Sequence, residues 1–308
     1  MQTAQTVESV PQKISLGDIT ADPDNVPTPQ EQYYKMTAEQ SMFFKEQTGI
    51  TDDEELKRHV LSVQAEAYKV APYPCIMGFV FTSLLLTRLP AYEDVMTIGR
   101  TRAGAILLDL GCCVGTDIRK AVADGFPAEN TIGSDLHQEF GAIGHKLFKT
   151  TPETFAGHFI QGDALDPATL SIVEPFETAP ESPRPDLKAL TSLNPLQGRV
   201  SAIHASNFFH LFSESKQLHL ARAVAGLLSW EPGSIICGGN WGLHEKGTMV
   251  ERLFGGSLEL FCHSPQTWTE MWDGVVFPKG HVKVDTHLIQ VDMEGFKFWY
   301  MLWSVKRL

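Results

Sequence analysis

Ile106-Leu-Leu-Asp-Leu-Gly-Cys-Cys-Val-Gly-Thr-Asp117 joins an apolar run to an acid, two glycines and the first residues of a helical pattern that continues to Ala123. The run from Ile106 to Leu108 reads as a buried strand ending at Asp109. Gly111 lets the backbone approach a ligand with no Cβ in the way. The helix beyond Gly115 begins with unpaired N–H groups, which suit a polar ligand. Strand, tight turn and helix in this order put the turn at the carboxyl edge of an open α/β sheet, where such sheets bind ligands. Asp109 at that edge suits an ammonium group and repels a pyrophosphate.

The glycine spacing separates the nucleotide-binding motifs. A dinucleotide fingerprint counted from Gly111 needs glycines at 113 and 116, which are Cys113 and Thr116. A phosphate-binding P-loop needs Gly-Lys-Ser/Thr, and Gly115 is followed by Thr116 and Asp117. The acid-capped strand with G-x-x-x-G resembles the first motif of class I S-adenosylmethionine (SAM) methyltransferases. A glycine turn in an ordinary α/β domain is the alternative reading of this segment alone.

The following strands repeat the pattern. The helix from Thr116 stops at Asp124-Gly125, with Pro127 just beyond. Thr131 to Leu136 reads as a short strand ending in Asp135, placed to bind a ribose diol. That geometry indicates adenosine without choosing between nicotinamide and SAM. Phe159 to Leu165 resembles the third methyltransferase motif, in which an acid accepts from the adenine amino group and the next N–H meets the ring. The resemblance therefore gives adenine to Asp163 and Ala164. A fourth strand spans Val200–Ala205 and a fifth Ser234–Gly238, with a helix over Lys216–Trp230 between them.

Leu108 to Lys120, with Ala123-Asp-Gly-Phe-Pro127, resembles fungal secondary-metabolite methyltransferases, including those that methylate carboxylic acids in meroterpenoid pathways. Ala67-Tyr-Lys-Val-Ala-Pro-Tyr-Pro-Cys-Ile76 and Ile203-His-Ala-Ser-Asn-Phe-Phe-His-Leu-Phe212 match the same group, and the similarity spans about residues 33–300. The fold it implies is α/β: a Rossmann-like class I methyltransferase, with a mostly parallel seven-stranded sheet and an N-terminal helical cap. The sixth and seventh strands are expected over His281–Val291 and Phe296–Val305, the seventh antiparallel, joined by a turn at Met293-Glu-Gly295. Residues 167–195 hold six prolines and look longer than the family pattern, so their role is open.

Composition agrees. A chain of 308 residues can bury one large core with a smaller appendage. A net charge of −12 argues against a nucleic-acid partner, since phosphate binding needs a basic footprint. No apolar run reaches the roughly 18 residues of a membrane span. Met1-Gln-Thr-Ala-Gln-Thr6 lacks signal-peptide features, and the five cysteines read as reduced thiols. These features point to a cytoplasmic protein acting on a small-molecule acceptor, with no membrane and no nucleic-acid partner; the oligomeric state is left open. No second Cys or His pair stands at zinc-like spacing from Cys112 and Cys113, so no metal is expected.

Three segments are expected: a flexible tail over 1–30, a helical cap or lid over 31–100, and a SAM-binding core over 101–308. Within the cap, helices are expected over Met36–Gln47, from Thr51 as N-cap toward Tyr68, and over Ile76–Leu86. In related enzymes such a region covers the methyl donor; packing support for the core is the alternative.

The expected cofactor contacts are Asp109, Gly111, Cys112, Gly115, Asp135, Leu136, Asp163, Ala164 and Asn207, with Tyr33 and Tyr34 from the cap. His204 and His210 are the candidates for acceptor contact or for a base. Trp241 and His244 could wall the acceptor, and Lys246 and Arg252 are weaker candidates for pairing with its carboxylate. A carboxylate acceptor is already ionised at neutral pH and needs no base; a phenol or amine often does. O-methylation of a carboxylic acid is thus the expectation, with phenol O- or amine N-methylation and a non-catalytic regulator as alternatives.

Overall fold

The computed structural model describes residues 14–16, 19–21, 31–253, 256–293 and 296–308. The expected tail therefore lies outside the described residues, apart from a small antiparallel pair, β1 (Ile14–Leu16) and β2 (Ile19–Ala21). The turn expected at Met293-Glu-Gly295 lies largely outside them as well.

Helices α1 (Ala38–Thr48), α2 (Asp53–Val70), α3 (Pro74–Met77) and α4 (Tyr92–Thr101) precede the sheet. Thr37 and Gln40 form the capping box of α1, satisfying amides that its first turn leaves unpaired. The N-cap of α2 is Asp52, one residue beyond the expected Thr51, and its carboxylate accepts from the Glu55 amide. The helix expected over Ile76–Leu86 is broken into α3 and the 3-10 turns Val80–Thr82 and Leu86–Arg88. Phe79 between them takes a left-handed conformation, φ 58°, that no helix accommodates.

The core runs β3 (Leu107–Leu110), α5 (Thr116–Ala123), β4 (Thr131–Asp135), α6 (Glu139–Leu147) and β5 (His158–Gln161). It continues with β6 (Ala202–His204), α7 (Glu214–Leu227) and β7 (Ile235–Trp241). A hairpin that the pattern did not reveal follows, β8 (Gly247–Leu253) and β9 (Gly256–Cys262), and then α8 (Pro265–Trp272), β10 (Val282–Met293) and β11 (Phe296–Arg307). The seven-stranded sheet has the order β10-β11-β7-β6-β3-β4-β5. All neighbours from β7 to β5 are parallel, and β11 is antiparallel to both β7 and β10.

Strand β3 is buried on both faces, which explains its continuous apolar run. Leu108 and Leu110 pack with Ile203 and Ile236, whereas Leu107 packs with Val95, Met96 and Phe126. The chain leaves β3 toward β4 and β5 and returns on the other side at β6. The carboxyl ends of β3 and β6 therefore flank a topological switch point.

The cap shares a core with this region. Phe44, Val60, Val63 and Ile76 cluster with Val114 of the glycine turn and with Phe140 and Leu147 of α6. His59 of α2 bonds the Leu147 carbonyl oxygen at 2.8 Å. The proline-rich segment 167–195 buries Leu170, Leu187 and Leu193 in the main core. Arg307, at the end of β11, binds the Phe176 carbonyl oxygen and pairs with Glu177 at 3.3 Å. Arg307 lies where β7 begins, so this part of the segment sits at the sheet edge opposite the switch point.

Gly144 brings α6 against the glycine turn: a Cβ there would stand 2.4 Å from the Val114 carbonyl oxygen, a backbone atom with little room to yield. Gly144→Ala should destabilise the fold by ~1–3 kcal/mol in urea melts. An unchanged midpoint would mean that α6 and the turn are not held this closely.

Candidate active site

The turn after β3 is built from left-handed residues: Gly111 at φ 76°, Cys113 at 50° and Gly115 at 75°. The Gly111 and Cys112 amides both donate to the Ser134 carbonyl oxygen, at 2.8 and 3.1 Å, which leans the turn on β4. A Cβ at Gly111 would lie 2.8 Å from the Phe208 ring, so the position excludes larger residues on space as well as on conformation.

A cavity of about 80 Å³ lies beside this turn. It brings together five of the expected residues, Asp109, Gly111, Cys112, His204 and Asn207. The core adds Cys113, Thr116, Asp117 and Ser206, and the cap supplies a strap of wall from Cys75, Val80, Phe81, Ser83 and Leu85. Two residues at the start of α5 fasten that strap to the core. Thr116 Oγ1 donates to the Phe81 carbonyl oxygen at 2.6 Å, and the Leu86 amide donates to Asp117 Oδ1 at 2.8 Å.

Asp109, Asp117 and His204 are all buried, with their ligand-type atoms within 4.8 Å of one another. His204 Nδ1 is 2.8 Å from Asp109 Oδ1, and its Nε2 is 2.7 Å from Ser206 Oγ. Ser206 Oγ also accepts from the Gly239 amide at 3.1 Å, so its own proton points to His204 when the imidazole is neutral. A cation at this cluster would have to displace one of those bonds. Burial pushes the Asp117 carboxyl up to about 6, aided by Asp109 and opposed by His204. Burial alone would lower the His204 pKa, but the charge and hydrogen bond of Asp109, with Asp117 beyond, raise it.

Asp135 stands next to the cavity-lining Cys113. It accepts the Cys113 amide on Oδ2 and the Leu136 amide on Oδ1, both at 2.8 Å. Burial nevertheless raises its pKa. Leu136 is exposed beside it. Asp163 accepts the Leu165 amide at 2.9 Å, with Ala164 buried between them.

The other candidates lie elsewhere. His210 is buried, accepts the Trp241 amide on Nδ1 at 3.3 Å, and burial takes its pKa down to about 3. Trp241 is buried and stacks on Phe298 with ring centroids 4.3 Å apart. His244 is exposed and meets the Trp299 ring edge-on at 4.5 Å. Tyr33 and Tyr34 pack on the cap cluster, Tyr34 against Phe79 at 5.4 Å. Lys246 pairs with Glu214 at 2.6 Å, and the Arg252 side chain lies outside the described residues. Asp117, Ser206 and Tyr300 were missed as site residues. Asp117 reads as an ordinary first-turn acid of a helix, and Tyr300 is distant in sequence.

Counted through the core from β3, the sheet order is 6-7-5-4-1-2-3 with the seventh strand reversed, and acids close the first two strands around a glycine turn. Fold and site together define the class I methyltransferase architecture. Residues 30–82 match the family model described as meroterpenoid methyltransferase N-terminal domain. The Asnovolin E/Chermesin D methyltransferase nvfJ of Aspergillus novofumigatus is 32% identical over 226 residues, 73% of this chain and 72% of that protein. O-methyltransferase phiE, from a fungal species, is 31% identical over 221 residues, covering 72% of this chain and 65% of that one. The solved PH0226 protein of Pyrococcus horikoshii OT3 aligns at 14% identity over 79% of this chain and 99% of its own, with a TM-score of 0.46, too loose an overlap to bear on the fold. The chain belongs to the fungal secondary-metabolite methyltransferase family that includes the meroterpenoid enzymes. No described helix is long and apolar enough to cross a membrane.

The buried cluster sets a pH dependence. Asp117 keeps its proton up to about pH 6 when folded, against 3.8 for the free group. Between those values the folded chain binds more protons, so this contribution to stability falls as pH rises; the raised His204 acts in the same direction. Asp117→Asn removes the titration and can still accept from Leu86. Urea melts at pH 4.5 and 7 should show the variant gaining ~1–3 kcal/mol on the wild type at the higher pH. Parallel behaviour at both pH values would contradict the buried placement.

Proposed function

We propose that the protein O-methylates a carboxylic acid of a fungal secondary metabolite, with SAM as methyl donor. The observation that carries the carboxylate reading is the state of the two histidines. Both nitrogens of His204 are engaged by Asp109 and Ser206, and His210 is buried and neutral above about pH 3. Neither is placed as a free base, and an ionised carboxylate needs none. The name of phiE, an O-methyltransferase, and the meroterpenoid names of nvfJ and the family model support oxygen as nucleophile and a secondary metabolite as acceptor.

The residues present fit the donor. Bound SAM supplies a methyl group activated by its sulfonium. Asp109 keeps one carboxylate oxygen outside its His204 bond for the ammonium group. Asp135 holds two amides and retains lone pairs for the ribose hydroxyls. Leu136 offers an exposed apolar face beside it, and Asp163 has Oδ2 available for the adenine amino group. The strap over residues 80–86 acts as the lid and excludes water, so the cap, 31–100, is part of the site.

A second reading is favoured by the Asp109–His204–Ser206 chain, which could take a proton from a phenol through the serine hydroxyl. With donor and acceptor saturating, single-turnover rates separate the two. A carboxylate acceptor predicts a flat profile between about pH 5.5 and 8 in the Asp117→Asn background, which removes the buried carboxyl that titrates near 6. A limb rising through the histidine range, with a methyl ether as product, would overturn the carboxylate reading; a methyl ester supports it.

Asp135→Ala should weaken SAM binding by ~1–3 kcal/mol in calorimetry, the loss expected for hydrogen bonds to a charged group. Undiminished affinity would remove Asp135 from the ribose site.

A further inference from the structure

Asn207 follows β6 and lines the cavity in a left-handed conformation, φ 53°, that asparagine tolerates. Its amide N–H donates to the Gly239 carbonyl oxygen at 2.7 Å, which fixes the backbone. Its side chain is fixed from another strand: Tyr300 of β11 donates its hydroxyl to Asn207 Oδ1 at 3.1 Å. No partner for Asn207 Nδ2 is present among the described residues. Tyr300 fits there because residue 239 is glycine; a Cβ would stand 2.4 Å from its ring and 2.6 Å from its hydroxyl. Burial raises the phenol pKa, so the hydroxyl stays protonated and can donate.

On the core side of the cavity, Thr116, His204 and Ser206 are engaged inside the protein, while Ser83 lines the cap side. Thr116 donates to Phe81, and the imidazole and hydroxyl of His204 and Ser206 are engaged by Asp109, Gly239 and each other. Among the described residues, Asn207 is left as the side-chain nitrogen donor of the cavity wall. We propose that Tyr300 is a positioning residue that turns the Asn207 amide so that its NH₂ donates to an oxygen of the acceptor carboxylate, making Asn207 a determinant of acceptor charge. This rests on the carboxylate reading above.

Asn207→Asp tests it, because aspartate keeps the left-handed backbone and still accepts from Tyr300 while replacing the donor with a negative oxygen. The probes are benzoate and benzylamine, titrated by NMR onto the protein saturated with S-adenosylhomocysteine, whose own binding is measured by calorimetry. The variant should bind benzoate about tenfold more weakly and benzylammonium more tightly, each compared at saturating S-adenosylhomocysteine as set by the variant's own calorimetric titration. A damaged pocket would lose both probes, so the reversal of sign is the diagnostic. Tyr300→Phe should weaken benzoate about threefold or more and leave S-adenosylhomocysteine binding intact. Equal loss of both probes in Asn207→Asp, no effect of Tyr300→Phe, or no benzoate binding to the loaded wild type would overturn the proposal while leaving the donor site standing. Failure of the wild type to bind S-adenosylhomocysteine would instead sink the methyltransferase reading on which it rests.

Discussion

The hydrogen bond from the Leu86 amide to Asp117 fastens the cap to the glycine turn, and the enclosed site depends on it. With the bond from Thr116 to Phe81, it ties residues 81–86 to the first two residues of α5. Those residues begin where Gly115 takes its left-handed turn, so the glycine turn and the strap above it are one mechanical unit. Burying a carboxylate this deeply is costly. The Leu86 amide offsets part of the cost, and the raised Asp117 pKa is the trace of what remains.

The same cluster gives the cavity its chemical preference. Asp109 and Asp117 bring two carboxylates into a buried space that holds one imidazole. Such a pocket favours a cationic ligand and resists a phosphate, in keeping with an aminoacyl sulfonium and against a pyrophosphate cofactor. His204 is anchored between strands by Asp109 and Ser206, which makes it a brace across β3, β6 and β7.

Strands β3 and β4 were legible in the sequence because burial on both faces leaves a strong local signal, and the edge strand β5 and the acids at 109, 135 and 163 because the strand–acid pattern repeats. The cap helices α1 and α2 were legible to within one or two residues from their N-cap residues and apolar spacing. The breaks near Phe79 were not: the apolar spacing from Ile76 to Leu86 fits a helix, and only tertiary packing selects a left-handed residue there. Helix α4 and the β8–β9 hairpin were passed over, the latter because its alternation is short. The two histidines of the 203–212 segment look equivalent in sequence. One proves to be a brace beside the cavity and the other a neutral core residue under Trp241, a difference made by strands distant in the chain. Tyr300 could not be connected to Asn207 without the register of β11 on β7, which sets Tyr300 opposite Trp241.

Hydrogen exchange followed by mass spectrometry, with and without S-adenosylhomocysteine, tests the joined strap and glycine turn most directly. The account predicts that ligand slows exchange together in residues 109–117 and 80–88, since the two segments close the site as one. Protection confined to 109–117, with 80–88 exchanging as fast as before, would show that the cap is a bystander and would contradict it.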